Sequence, residues 1–287
     1  MTYVNIAPPP LDYEYAIERI TIFIKDFMAK AMVKGYVVGV SGGVDSSTTL
    51  ALAVEAVGSK KVIALILPDK NTTPQQDVED AIEVVEKYGV EYHVVEISNI
   101  IEAYMKTMPF ADPNHKIATG NLRARVRMSI LYYYANKYGY AVMGTGDKSE
   151  ILLGYYTKYG DGGVDLLPIG DIYKTQVREL GRRLGVPEKI VKKPSSPRLW
   201  PGQLAEEELG ASYEIIDAIL YRYVDLGMGV DDIVAETGIA REIVSRIVRR
   251  VHANEHKRLA PLIPKISTVT PSPLLDWRMP WYSNPQI

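Results

Sequence analysis

Apolar residues recur three and four positions apart through 16–32, where Ile17, Ile20, Ile24, Phe27 and Met28 share a face, and this spacing predicts an amphipathic helix. The run Val37-Val38-Gly39-Val40 is shorter and opens into glycine, as a buried strand does. Residues 48–57 return to helical spacing with Gly58 placed to cap them, and 61–67 read as a second strand. Thr73-Pro74-Gln75-Gln76 has the order of a capping box, with Thr73 at the N-cap and Pro74 in the first helical position. The helix it opens is expected to reach Tyr88 and close at Gly89. Further strands are expected at 92–97 and 140–144, with a long helix at 121–138. Such alternation implies parallel strands joined by helical crossovers: an α/β fold, a doubly wound parallel sheet flanked by helices. Ligands on such sheets gather at the carboxyl ends of the strands, where the segments starting at Ser41 and Thr145 are expected.

Beyond Gly154 the periodicity stops. Residues 155–170 are rich in Gly and Asp and read as a functional loop. A helix is expected at 172–184, a Pro/Ser stretch follows at 194–203, and helices resume at 213–223 and 242–251. With no internal repeat, 1–287 reads as a single domain, a strand–helix core over 16–185 followed by a helical C-terminal subdomain over 204–260.

Composition narrows the chemistry. A formal net charge of −2 supplies no global field for nucleic acid or an acidic membrane. The absence of cysteine excludes disulfides, thiolate metal sites and a Cys nucleophile. The strongest apolar run, 62–67, is too short to span a bilayer, and the N-terminal stretch containing Pro8-Pro9-Pro10 lacks the form of a signal peptide. A cytoplasmic enzyme without a membrane or nucleic-acid partner is the expectation.

The segment Gly39-Val40-Ser41-Gly42-Gly43-Val44-Asp45-Ser46 links a strand to a helix. Glycines let backbone approach an anion, and the helix N-terminus offers free N–H donors and a positive dipole end. A tight turn that binds nothing is the bland alternative. Asp45 would repel a polyphosphate unless a hard cation such as Mg²⁺ bridged them, and its alternative role is to complement the helix dipole.

Ser41-Gly42-Gly43-Val44-Asp45-Ser46 resembles the pyrophosphate loop of the N-type ATP pyrophosphatases. Four further segments, in order, are similar to the ammonia-dependent NAD synthetases within that group. They are Asn121-Leu122-Arg123-Ala124-Arg125, Gly144-Thr145 with Glu150, Thr157-Lys158-Tyr159-Gly160-Asp161-Gly162-Gly163-Val164-Asp165, and Leu199-Trp200-Pro201-Gly202-Gln203 with the later His256-Lys257-Arg258. The resemblance implies ATP contacts at Gly39, Val40, Ser41, Gly42, Gly43, Val44, Asp45, Ser46, Thr145, Lys174 and Ser195. It implies Mg²⁺ at Asp45 and Glu150, and deamido-NAD at Arg125, Lys158, Asp165, His256 and Lys257. Arg123 and Arg127 lie on the helix face opposite Arg125 and read as solvated charges. ATP as co-substrate, deamido-NAD, ammonia and a homodimer follow from the same resemblance.

The implied reaction activates a carboxylate as an acyl adenylate, which ammonia attacks. Asp45 and Lys174 serve the polyphosphate, and Asp161 is placed to deprotonate ammonium. Rival readings are a GMP synthetase-like or tRNA-modifying enzyme with the same loop, a sensor that binds ATP without turnover, and a helix-turn-helix regulator. The last rests on 230–251, where Arg241, Arg246, Arg249 and Arg250 accompany two short helices.

Overall fold

Successive residues of a strand point to opposite faces, and in β1 (Tyr36–Gly39) both faces are covered. A computed structural model of the chain describes residues 6, 11–264, 266 and 268. Tyr36 and Val38 enter one core layer while Val37 enters the other, and all three are fully buried. β2 (Val62–Ile66) divides its side chains in the same way. Burial of each such aliphatic residue contributes about 1.5–3 kcal/mol. β3 (Glu91–Val94) and β4 (Ala141–Met143) complete a parallel sheet of four strands in the order β3-β2-β1-β4. The registers Tyr36 with Val62 and Tyr36 with Ala141 bring the carboxyl ends of β1, β2 and β4 to one edge. The chain reverses its winding between β1 and β4, and a crevice opens there.

One face is covered by α1 (Tyr13–Lys30), α2 (Val44–Val57), α3 (Gln75–Lys87), α7 (Lys174–Arg183) and α8 (Glu188–Val191). The other carries α4 (Ser98–Thr107) and α5 (Lys116–Tyr138). A third apolar cluster lies among α6 (Lys148–Leu153), α9 (Ala205–Leu209), α10 (Tyr213–Leu220), α11 (Val230–Thr237) and α12 (Arg241–Ala253), ahead of the short α13 (Glu255–Arg258).

The doubly wound sheet expected from the sequence is therefore present, with three local corrections. Helix α2 begins at Val44, four residues before the expected start, because the phosphate-loop residues form its first turn. Thr73 is not an N-cap: α3 starts at Gln75 after Pro74, and the Thr73 hydroxyl accepts from the Asp69 N–H at 3.1 Å. The 230–251 pair packs as a helical hairpin with Val244, Ile247 and Val251 buried. Its arginines are committed within the chain: Arg241 pairs with Asp231, Arg246 donates to the Gly210 carbonyl and Arg250 to that of Leu153.

Candidate active site

At the β1–α2 junction, Gly42 has φ +76°, and a Cβ there would lie 2.3 Å from the Asp77 carbonyl oxygen. Only glycine fits that approach. Ser41 and Ser46 tie the loop upon itself, their Oγ atoms 3.1 Å apart, while the Ser47 hydroxyl donates to the Gly43 carbonyl at 2.8 Å. Gly43 caps α2 without a side chain, so the first-turn N–H groups face an opening suited to an anion.

That opening is a cleft of about 500 Å³ at the carboxyl edge of the sheet. Gly39 through Ser46, Thr145, Glu150, Asp161, Ser195 and Lys257 all line it. The Ser195 hydroxyl is buried without a hydrogen-bond partner.

Beneath the cleft, Lys174 is fully buried. Its Nζ lies 2.6 Å from Asp45 Oδ2, 3.0 Å from Glu150 Oε1 and 3.1 Å from Asp147 Oδ2. Burial opposes the ammonium, yet Asp147, Asp45 and Glu150 together hold its pKa well above the ordinary lysine value. Burial also raises Asp147 far above the carboxylate range and pushes Glu150 up to about 7, with Lys174 opposing both shifts. Asp147 was absent from the expected site although the sequence carried a signal. It stands three residues before Glu150, and each side chain accepts from the other's backbone N–H as a capping box.

Asp45 Oδ1 is buried with no hydrogen-bond partner. Asp45 and Glu150 both reach the cleft and converge on one ammonium, a donor set that fits a hard cation completed by phosphate oxygens and water. Among the described residues no group of three His, Cys, Asp or Glu side chains could hold a metal ion alone, in keeping with Lys174 standing at the centre of this cluster.

The residues expected to hold the dinucleotide divide. Lys257 lines the cleft, its Nζ donating to the carbonyls of Gly154 at 2.7 Å and Tyr156 at 2.8 Å. Beside it, Arg258 donates to the Leu152 carbonyl at 2.7 Å. Arg125, Lys158 and His256 form a chain at the surface: Arg125 donates to the Lys158 carbonyl at 3.3 Å, and Lys158 Nζ to the His256 carbonyl at 2.7 Å. Asp165 accepts from the Val142 N–H at 2.7 Å and from the Tyr132 hydroxyl at 3.1 Å, outside the cleft.

Arg123 and Arg127 are not solvated, as the helix phase alone suggested. Arg123 Nε donates to the fully buried Asp69 at 2.6 Å, and its Nη1 to the Leu199 carbonyl at 3.0 Å. Arg127 lines the cleft with Nε on the Leu67 carbonyl at 2.9 Å. Two further cations missed in the sequence reach the phosphate loop's flank. Lys193 Nζ donates to the Gly42 carbonyl at 2.9 Å and to Asp77 at 3.0 Å, and Arg198 meets the other oxygen of Asp77 at 2.7 Å.

Comparison with known proteins places this geometry among relatives. The family model described as NAD synthase matches residues 16–261. An NH3-dependent NAD(+) synthetase of Staphylothermus marinus is 52% identical over 259 residues, 90% of this chain and 94% of that protein. Among solved structures, NMN synthetase from Francisella tularensis superposes with a TM-score of 0.78 at 33% identity, covering 89% of this chain and 100% of that one. NH3-dependent NAD synthetase from Campylobacter jejuni, in complex with the nitrate ion, gives 0.74 at 29% identity, with 89% and 100% covered.

Proposed function

Because the chain belongs to the NAD synthase family, we propose that its cleft carries out ATP-dependent amidation of deamido-NAD by ammonia, giving NAD, AMP and pyrophosphate. The observation that carries the reading is the Lys174 ammonium, set among Asp45, Asp147 and Glu150 behind a glycine loop that opens a helix.

A carboxylate is a poor electrophile. One of its oxygens attacks the α-phosphorus of ATP, the bridge to the β-phosphorus breaks, and pyrophosphate leaves. The first-turn N–H groups of α2 and the Ser41 and Ser46 hydroxyls take the polyphosphate oxygens, and Ser195 has a free hydroxyl for the same ligand. Lys174 supplies a fixed positive charge beneath them. Asp45 and Glu150 are the residues to hold Mg²⁺, which when bound neutralises charge gathering on the leaving pyrophosphate. Ammonia then attacks the acyl carbon, and the bond to AMP breaks. Ammonium must first lose a proton. Asp161 is suited to take it: Thr157 N–H fixes one oxygen at 2.9 Å, and the surrounding protein raises its pKa.

Arg125 and Asp165, expected to hold deamido-NAD, lie outside the cleft. Both belong to the α5 side of the sheet, which also bears a shallow groove walled by Ile100, Tyr104, Val126, Ile130 and Tyr133. Tyr104 is 46% and Tyr133 67% exposed. We read this face as the two-fold contact of a homodimer with the dinucleotide alongside. No described helix is long and apolar enough to cross a membrane, and a cytoplasmic location belongs to the same reading.

The test is product analysis with ATP, ammonium and either deamido-NAD or nicotinate mononucleotide. AMP and NAD should form together, in equal amounts, only with the dinucleotide. ADP release, or preference for the mononucleotide, would overturn the assignment.

A further inference from the structure

Helix α10 is apolar from Ile215 to Leu220 except for one acid, and that acid, Asp217, is fully buried. A carboxylate in such a place is costly unless its oxygens are bonded. Asp217 Oδ1 accepts from the Ser149 hydroxyl at 2.6 Å, and Oδ2 from the Thr175 N–H at 2.9 Å. Ser149 Oγ in turn accepts from the Lys174 N–H at 3.0 Å.

These contacts supply what α7 lacks. Its own N-cap residue, Tyr173, makes no side-chain cap hydrogen bond, so the first N–H groups of the helix are satisfied by Ser149 from α6 and Asp217 from α10. Ser149 precedes Glu150, and Thr175 follows Lys174. One carboxylate therefore holds the Ser149 hydroxyl next to Glu150 and the Thr175 N–H next to Lys174, the two members of a 3.0 Å pair. Burial raises the Asp217 carboxyl to about 6, and the bonds from Ser149 and Thr175 pull it back toward ionisation.

We propose that Asp217 is a positioning residue for the reaction: it locks the starts of α6 and α7 together from the helical part of the chain and so sets the distance of Glu150 and Lys174 from the nucleotide. The inference rests on the reading of those two residues given above. It assigns a role in turnover to a helix none of whose residues lines the cleft.

Asp217→Asn is near-isosteric, but its amide cannot accept from both Ser149 and Thr175. Ser149→Ala removes the same link from its other end and keeps the test open where an Asp217 variant folds poorly. Steady-state kinetics, thermal unfolding and circular dichroism are measured for both and for the double variant. Each folded single variant should lose kcat by about 10–100-fold, the loss expected for misplacement near 1 Å. KM for deamido-NAD should change less than about twofold, because only uniform binding would move it. KM for ATP should rise. The double variant should be no worse than about twofold below the weaker single one, because both break one linkage. Asp217→Glu should recover part of kcat. Folded variants with kcat within about twofold of wild type, or losses that multiply in the double variant, would overturn the proposal. Full activity in Lys174→Gln or Glu150→Gln would overturn the site reading itself, and this inference with it.

Discussion

Lys174→Met keeps the length of the side chain and removes its charge from among three carboxylates. At an effective dielectric constant near 20, an ion pair at these distances is worth roughly 5–6 kcal/mol before desolvation. Desolvation cancels much of that, and losing one partner of a buried pair costs about 3–5 kcal/mol net. The acids left behind have an escape, which is to bind protons. Glu150 already sits at about 7 against an ordinary 4.5, chiefly through burial, with Asp45 adding to it. That difference corresponds to about 3 kcal/mol at about 1.4 kcal/mol per pH unit. The folded state binds this proton more tightly than the unfolded state does. The contribution is therefore fully present below pH 4.5 and is lost as pH rises through about 7. Without Lys174, Glu150 and Asp147 rise further, so the variant should trail wild type by about 1–2 kcal/mol near pH 5 and by about 3–5 kcal/mol near pH 8. Urea unfolding of both proteins with chelator present, across that range, measures the gap. A gap independent of pH, or a methionine variant more stable than wild type near pH 8, would refute the electrostatic account of the cluster.

Asp45→Asn and Glu150→Gln should each lower turnover at least about tenfold and shift Mg²⁺ activation to higher concentration, since each removes an anionic oxygen from a hard cation; near wild-type rates at low Mg²⁺ would cancel the metal assignment. Ammonium should serve as nitrogen donor while ammonia-free glutamine does not, because the chain has no cysteine to release an amide nitrogen through a thioester; equal rates with the two donors would expose an unrecognised glutaminase site. Tyr133→Lys should convert a dimer to a monomer in light scattering by placing a charge on the α5 groove, and an unchanged mass would move the interface elsewhere.

The sheet and the phosphate loop were legible because both are written in local order. Val37, Val38 and Gly39 announce a strand that ends in a turn, and the turn leads straight into a helix. The surroundings of Lys174 were only half legible, since Asp147 shares a local pattern with Glu150 but its burial depends on packing from α7. Asp217 gave no signal at all: one acid in an apolar helix reads as the polar face of a surface helix until α6 and α7 are known to lie against it. Arg127 shows the limit of helical phase. The sequence tells which residues of α5 share a face but not which face meets the strand ends, and Leu67 decides that. Thr73 failed for another reason, because the backbone N–H of Asp69 competes for the hydroxyl that the capping pattern assigned to the helix.

The grip of Lys257 and Arg258 on the carbonyls at the end of α6 sets an order in time. Those donors arrive 103 residues after Gly154 and 106 after Leu152 along the chain. A nascent polypeptide can pair its strands long before then, because the last of them, β4, ends at Met143. The helix that bears Glu150 gains its last anchors only when residues 257 and 258 emerge from the ribosome. Nucleotide competence should accordingly come later in synthesis than the sheet, and a chain stalled before α13 should fold its sheet yet hold no ATP.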